Sequence, residues 1–236
     1  MRTLVKTAVI LAGGAGLRMR PLTDDLPKCM IPLRNKPLLY WTLNWLENYG
    51  FTHVVLGVAY REEAIRKYVS ENPTNMNIDF SRHTVEGETG EGFRLAIERH
   101  VNDENFLAMN GDELTSLNPQ KFAEWHLKHT PIATIAVSPL HSPFGIIEVE
   151  GNDIVGFREK PLLHDKLVST GIYMFNRKIL DYLPTRGSME KTTFPELAKQ
   201  RLLKAYRLGE NERWLTINSI KDLSMAEKEF ELIGRT

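Results

Sequence analysis

Residues 11–32 read LAGGAGLRMRPLTDDLPKCMIP, and the rest of the chain is organised around them. The apolar run Thr7-Ala8-Val9-Ile10-Leu11-Ala12 stops abruptly at Gly13-Gly14-Ala15-Gly16. Arg18 and Arg20 follow, then Pro21 and Pro27-Lys28. This pattern predicts a buried strand opening into a loop with almost no side chains. Such a loop lets backbone N–H groups approach an anion, and glycine tolerates positive φ there. The arginines add forked, permanently charged donors for phosphate oxygens. The stretch therefore predicts a nucleoside triphosphate site on the first β-loop of an α/β fold, although a glycine turn with no ligand shares the same GGxG core. Two other phosphate motifs are excluded. No Gly-Lys-Ser/Thr closes the loop, and Met19 stands where a dinucleotide fingerprint needs its third glycine.

Composition narrows the class. The 236 residues hold 30 Lys+Arg and 30 Asp+Glu, so the net charge is zero. Nothing global draws the chain to nucleic acid or membrane, although a local basic pocket is compatible with this balance. Cys29 is the lone cysteine, which permits no internal disulfide and fits a reducing compartment. It reads as a small buried hydrophobe, with a thiol activated by Lys28 as the alternative. The start of the chain does not read as a signal peptide, and no apolar run approaches the ~20 residues of a membrane span. The expectation is a soluble cytoplasmic protein.

Taken in order, Pro37–Tyr49 predicts a helix with a wide apolar face, Thr52–Ala59 a strand, Arg61–Val69 a helix and Asn77–Phe80 a short strand. A helix is expected at Phe93–His100, a strand at Asn105–Met109 and a helix at Pro119–Lys128. This alternation predicts a parallel sheet with helices on both faces. The second half differs. Ile132–Val137 and Val168–Phe175 read as strands, and Gly145–Glu150 and Asp153–Arg158 flank Gly151-Asn152 as a hairpin. These strands predict a mixed extension of the sheet. Helices are expected at Lys178–Leu183, Phe194–Leu203 and Ile220–Ile233, with a strand at Lys204–Leu208. The fold class is thus α/β, with a Rossmann-like, mixed, mostly parallel sheet in three α/β/α layers. A single domain over 1–236 is expected, with a nucleotide-binding half to about residue 130. No hexapeptide repeat of a β-helix is present.

The full string G-G-x-G-x-R-x-x-P-L-T-x-x-x-P-K-x-x-x-P resembles the signature of sugar-1-phosphate nucleotidylyltransferases, the NDP-sugar pyrophosphorylases. The resemblance implies the nucleotide-diphospho-sugar transferase fold. It also implies that Leu11, Ala12, Gly13, Gly14, Gly16, Thr89, Gly90 and Gly111 bind the nucleotide. Asp112, in a Gly-Asp that alone reads equally as an ordinary turn, would ligate Mg²⁺. Phe157-Arg158-Glu159-Lys160-Pro161 is similar to the family's F-x-E-K-P box, so Glu159 would take sugar hydroxyls, Lys160 the sugar's phosphate, and Gly145 would present backbone to the sugar. Ser169 and Gly171 fall on the family's N-x-G-I-Y strand, with Ser169 where Asn usually contacts the sugar. Arg18, Lys28 and Lys160 would be the catalytic cations.

Two departures stand out. Glu88 and Glu91 surround Thr89-Gly90, either capping the next helix by its dipole or selecting an N–H edge of the base. In Trp214-Leu215-Thr216-Ile217-Asn218-Ser219, Thr216 takes the place of the family's second metal Asp, and Asn218 that of its Gly. Asp222 reads as a surface helix residue and Glu113 as an acid behind Asp112. His126 and His129, i and i+3 on a helix, read as surface packing. The substrates implied are an NTP and a sugar 1-phosphate. The alternatives are a cytidylyltransferase for phosphocholine or another alcohol phosphate, and a nucleotide-sugar-binding protein without turnover. The apolar face at Trp41, Trp45 and Tyr49 is either core or an interface, so a homo-oligomer stays open.

Overall fold

The computed structural model describes residues 3–230. The first half runs β1 (Thr7–Leu11), β2 (Pro32–Leu33), β3 (Lys36–Pro37), α1 (Leu38–Asn48), β4 (His53–Val58), α2 (Glu62–Glu71) and β5 (Asn77–Arg82). Then come α3 (Glu88–His100), β6 (Asn105–Asn110), β7 (Glu113–Thr115) and α4 (Pro119–His129). The second half runs β8 (Ala133–His141), β9 (Ile146–Glu150), β10 (Asp153–Arg158), β11 (Leu162–Asn176), α5 (Thr193–Lys199), β12 (Leu203–Arg207), β13 (Trp214–Thr216) and α6 (Ile220–Glu229).

The main sheet has the order β12-β8-β11-β6-β1-β4-β5. β6, β1, β4 and β5 are mutually parallel, and β12 is parallel to β8. β11 lies antiparallel between β6 and β8, which makes the sheet mixed. Alternation along β1 sets the layers. Ala8 and Ile10 pack with Leu39, Leu43 and Leu46 of α1, Ile65 of α2 and Phe122 of α4. Val9 faces the other way, into a core with Phe93 and Ile97 of α3 and Phe194 and Leu197 of α5. Side chains of a strand point to opposite faces in turn, so one five-residue strand anchors two helical layers. The face of α1 is core: Trp45 is buried, and its indole N–H donates to the Leu117 carbonyl at 3.1 Å.

Several elements differ from the sequence reading. The hairpin β9–β10 is a separate two-stranded sheet; β8, β11 and β12 extend the main one. α3 begins at Glu88, five residues before Phe93, so Thr89 and Gly90 belong to its first turn. Residues 177–181 form a 3₁₀ turn in place of the expected helix. β13 pairs with β7 in a second small sheet that three-residue strands do not announce. Among the described residues no helix is long and apolar enough to cross a membrane.

His126 is buried, not on the surface. Its ring nitrogens meet Thr134 Oγ1 at 2.7 Å and Asn105 Oδ1 at 3.1 Å. His129 stacks on Trp125 with ring centroids 3.9 Å apart. Burial lowers the His126 pKa from 6.5 to about 4. The unfolded chain therefore takes up a proton at this residue that the folded form resists. Its contribution to stability is intact above pH 6.5 and shrinks as the pH falls towards 4, by on the order of 3 kcal/mol. Urea unfolding at pH 7 and pH 4.5 is expected to show a smaller acid loss in His126→Gln than in the parent.

Candidate active site

The glycine loop is held by its own backbone. Ala12 N–H donates to the Gly57 carbonyl at 2.7 Å, extending the contact of β1 with β4 past the strand end. A Cβ on Gly13 would lie 2.8 Å from Ala59 Cβ, from Ala59 N and from His83 Nε2, so only glycine fits. Gly16 turns the chain at φ +60°, and its carbonyl accepts from the Thr23 hydroxyl at 2.9 Å. Lys28 N–H donates to the Gly14 carbonyl at 3.1 Å, which brings the far end of the stretch back onto the loop. Gly14 itself has open space where a Cβ would be.

The carboxyl end of β6 lies beside that of β1, on the opposite side from β4. In open α/β sheets ligands bind in such a crevice. Gly111 N–H donates to the Leu11 carbonyl at 2.9 Å and keeps the seam closed, which aims Asp112 outward. Lys28 Nζ contacts Asp112 Oδ2 and donates to Asn218 Oδ1 at 2.7 Å. Arg18 Nη2 also donates to Asn218 Oδ1, at 3.2 Å. Asn218 is held in turn: its Nδ2 donates to Thr216 Oγ1 at 2.7 Å, and its backbone N–H donates to Asp222 Oδ2 at 3.0 Å. Asp222 is thus a clamp for this loop. Sequence reasoning noted Asn218 only as the replacement of a glycine; nothing local showed that it would meet Arg18, 200 residues away.

A cavity of about 630 Å³ opens over this cluster. Leu11, Ala12, Gly13, Gly14, Gly16, Arg18, Lys28, Gly111 and Asp112 line it, together with Thr89. Leu17, Cys29, His83, Val85, Glu88, Asn110 and Asn218 also line it, and of these the sequence offers only Glu88 for the nucleotide. Gly90 is placed differently. Its N–H donates to the Gly187 carbonyl at 2.9 Å, and a Cβ there would collide with that carbonyl and with Pro184. It packs α3 against the 184–187 loop. Cys29 is buried, and burial pushes its thiol up to about 12, so it is a core residue with no thiolate.

Gly145, Glu159, Lys160, Ser169 and Gly171, expected at the sugar, are not among the residues lining this cavity. Lys160 Nζ and Glu159 Oε1 are 3.0 Å apart, both half-exposed. A Cβ on Gly145 would meet the Phe157 ring at 2.7 Å and Glu159 Oε2 at 3.2 Å. Gly171, at φ +73°, passes so close to Asn110 Nδ2 and Glu113 Oε1 that a Cβ would lie 2.9 Å from each. Ser169 Oγ accepts from the Gly171 N–H at 3.3 Å.

Residues 7–231 match the family described as nucleotidyl transferase. The chain belongs to that family. It is 32% identical over 224 residues to mannose-1-phosphate guanyltransferase beta-A of Xenopus laevis, covering 91% of this chain and 62% of that relative. It is 29% identical over 236 residues to the UTP–glucose-1-phosphate uridylyltransferase of Synechocystis, covering 91% and 61%. The chain thus spans about three-fifths of the length of these curated relatives. Among solved structures, HddC from Yersinia pseudotuberculosis complexed with GMP-PN superposes with a TM-score of 0.75 at 26% identity. That likeness covers 96% of this chain and 100% of HddC.

The cleft offers few oxygen donors for a divalent ion. Glu113 is unavailable, because it turns away from the cleft. Its carboxylate accepts from Trp214 Nε1 at 2.7 Å and from the Thr216 hydroxyl at 3.2 Å. Burial, with the Asp112 charge beside it, holds its pKa well above the usual carboxylate range. What faces the cleft is the Asp112 carboxylate and the Asn218 amide oxygen, both converging on one cation, Lys28 Nζ. Among the described residues no cluster of three or more His, Cys, Asp or Glu side chains is placed to hold a metal. An all-oxygen pair with one charge suits Mg²⁺, which commonly binds through one or two carboxylates plus phosphates and water. The residues present fit it as a one-carboxylate site.

Proposed function

We propose that this nucleotidyl transferase joins an NTP to a sugar 1-phosphate, giving an NDP-sugar and pyrophosphate. The observation that carries the reading is the convergence of Arg18, Lys28, Asp112 and Asn218 at the mouth of the glycine-loop cavity. A phosphate oxygen of the sugar phosphate attacks the α-phosphorus, and the bond from that phosphorus to the bridging oxygen of the pyrophosphate breaks. The nucleophile is already anionic, so no general base is needed; catalysis is positioning and charge neutralisation. Gly13, Gly14 and Gly16 offer backbone to the nucleotide. Arg18 holds the phosphate tail that departs. Lys28 spans the α-phosphate and the incoming phosphate. Lys160 holds the attacking phosphate and Glu159 a sugar hydroxyl, with Gly145, Ser169 and Gly171 shaping that side. Mg²⁺, held by Asp112 with Asn218 beside it, would supply charge neutralisation on the triphosphate. A cytoplasmic setting belongs to the same reading, and the lone buried Cys29 is in keeping with it.

The test is pyrophosphate release with Mg²⁺ across the common NTPs and a panel of sugar 1-phosphates, with Asp112→Asn as control. Release that needs both substrates and falls in the control supports the transferase. A second reading, a nucleotide-sugar-binding protein without turnover, is favoured by Thr216, which stands in place of an acid and is tied to Glu113. Nucleotide binding with no pyrophosphate from any pair would select that reading.

A further inference from the structure

We infer that Glu88 reads the base of the nucleotide and that the base it selects is guanine. The inference rests on the nucleotide reading above and deepens it. The cavity has two ends. Contacts through Asn218 and Lys28 gather Arg18, Lys28 and Asp112, which marks one end, and His83, Val85, Glu88 and Thr89 line the cavity outside that cluster. A nucleotide with its phosphates at the first end puts its base against the second.

The acids near that wall have separate fates. Glu91 Oε2 accepts from the Thr84 N–H at 3.3 Å and from its hydroxyl, and so closes the 84–87 loop. Glu190 takes the Thr89 hydroxyl at 2.6 Å. Glu88 forms no hydrogen bond or ion pair with any described residue, yet it lines the cavity. Its backbone lies at φ +53°, ψ −156°, a region that is close to glycine-only. A side chain is kept where the backbone favours none.

Beside it, His83 Nδ1 donates to the Thr84 carbonyl at 2.9 Å, which leaves Nε2 as a bare acceptor. That Nε2 is buried and has no partner among the described residues, unlike most buried polar atoms. His83 Nε2 is closed off against Gly13, so the acceptor that this wall presents to a ligand is the Glu88 carboxylate. A carboxylate presents two acceptor oxygens and no donor. Guanine offers N1–H and an N2 amino group side by side, which match that fork. Adenine and cytosine place a bare ring nitrogen next to their amino group. Uracil and thymine place a carbonyl on each side of a single N–H. Each of these sets a lone pair against the carboxylate.

The experiment is equilibrium binding of GTP, ATP, CTP, UTP and dTTP to the parent chain, Glu88→Gln and Glu88→Gly, with thermal unfolding of each. The parent is expected to bind GTP tightest. Both variants are expected to lose about 10- to 100-fold in GTP affinity while the other nucleotides change little. Glu88→Gly should also melt about 2–4 °C higher, because glycine relaxes the backbone. A purely structural Glu88 would shift the melting temperature without touching base preference. Nucleotides bound without guanine preference, or a preference that survives Glu88→Gln, would overturn this inference alone. Failure of all five to bind the parent would overturn the nucleotide reading and this inference together.

Discussion

Lys28→Met is expected to lower kcat by about 10²–10³-fold, the usual loss when one preorganised donor to a developing charge is removed. Among the described residues Lys28 alone reaches both Asp112 and Asn218 with its side chain, which is 12% exposed. A cation so enclosed needs little reorganisation when charge develops beside it. Methionine keeps the length and apolar stem and deletes only the ammonium. Asp112, at 20% exposure, is left without its partner, so a stability loss of up to about 3 kcal/mol is expected beside the kinetic effect. Steady-state kinetics with thermal unfolding on the same samples separates the two effects. Lys28→Arg keeps the charge but offers a planar fork in place of a point donor, and should recover only part of the rate. Unchanged kcat in Lys28→Met would remove Lys28 from the mechanism.

Gly13→Ala and Gly14→Ala should behave oppositely, although one atom is added in each. At Gly13 the new methyl would meet the backbone nitrogen of Ala59 at 2.8 Å, and backbone there cannot step aside because Gly57 holds Ala12. The expected cost is about 1–3 kcal/mol of stability, the range for overpacking. Nucleotide affinity should fall with it by more than tenfold, because the loop must shift to make room. At Gly14 the methyl meets nothing within 4 Å. Stability should be unaffected, and any loss should appear in nucleotide binding alone. Urea unfolding and nucleotide titration of both variants check this. Equal destabilisation of the two would contradict the packing account of the loop.

These cases mark what the sequence carries and what it does not. The strand at Thr7–Leu11 and its abrupt glycine end are local, and the alternation of strands and helices after it is enough to predict helices on both faces. The start of α3 was hidden because Gly87, Gly90 and Gly92 are poor helix formers, and packing of Gly90 against Pro184 and Gly187 overrides their propensity. β13 is three residues long and gains its order from β7, a partner about a hundred positions earlier. The hairpin β9–β10 reads correctly as a hairpin, but local pattern does not say which sheet it joins. The site divides in the same way. The glycines and Arg18 stand out in the first loop, and the family resemblance adds Lys28 and Asp112. The roles of Asn218, Asp222 and Glu113 depend on which way each side chain turns after the chain has closed, and Glu113 turns inward to Trp214 while Asp112, one residue earlier, faces the cleft. Glu88 and Glu91 read alike in the sequence, and the structure separates their contacts, since Thr84 donates to Glu91.

Transfer of the nucleotidyl group, with its α-phosphorus, to a sugar phosphate is followed by a phosphorus label. NTP carrying ³²P at the α-position is incubated with Mg²⁺ and a sugar 1-phosphate, and the products are separated beside a parallel sample labelled at the γ-position. The account predicts α-label in the NDP-sugar and γ-label in pyrophosphate, with both transfers lost in Lys28→Met. α-Label that stays in NTP, or that appears in free NDP or NMP with none in a sugar nucleotide, would contradict it.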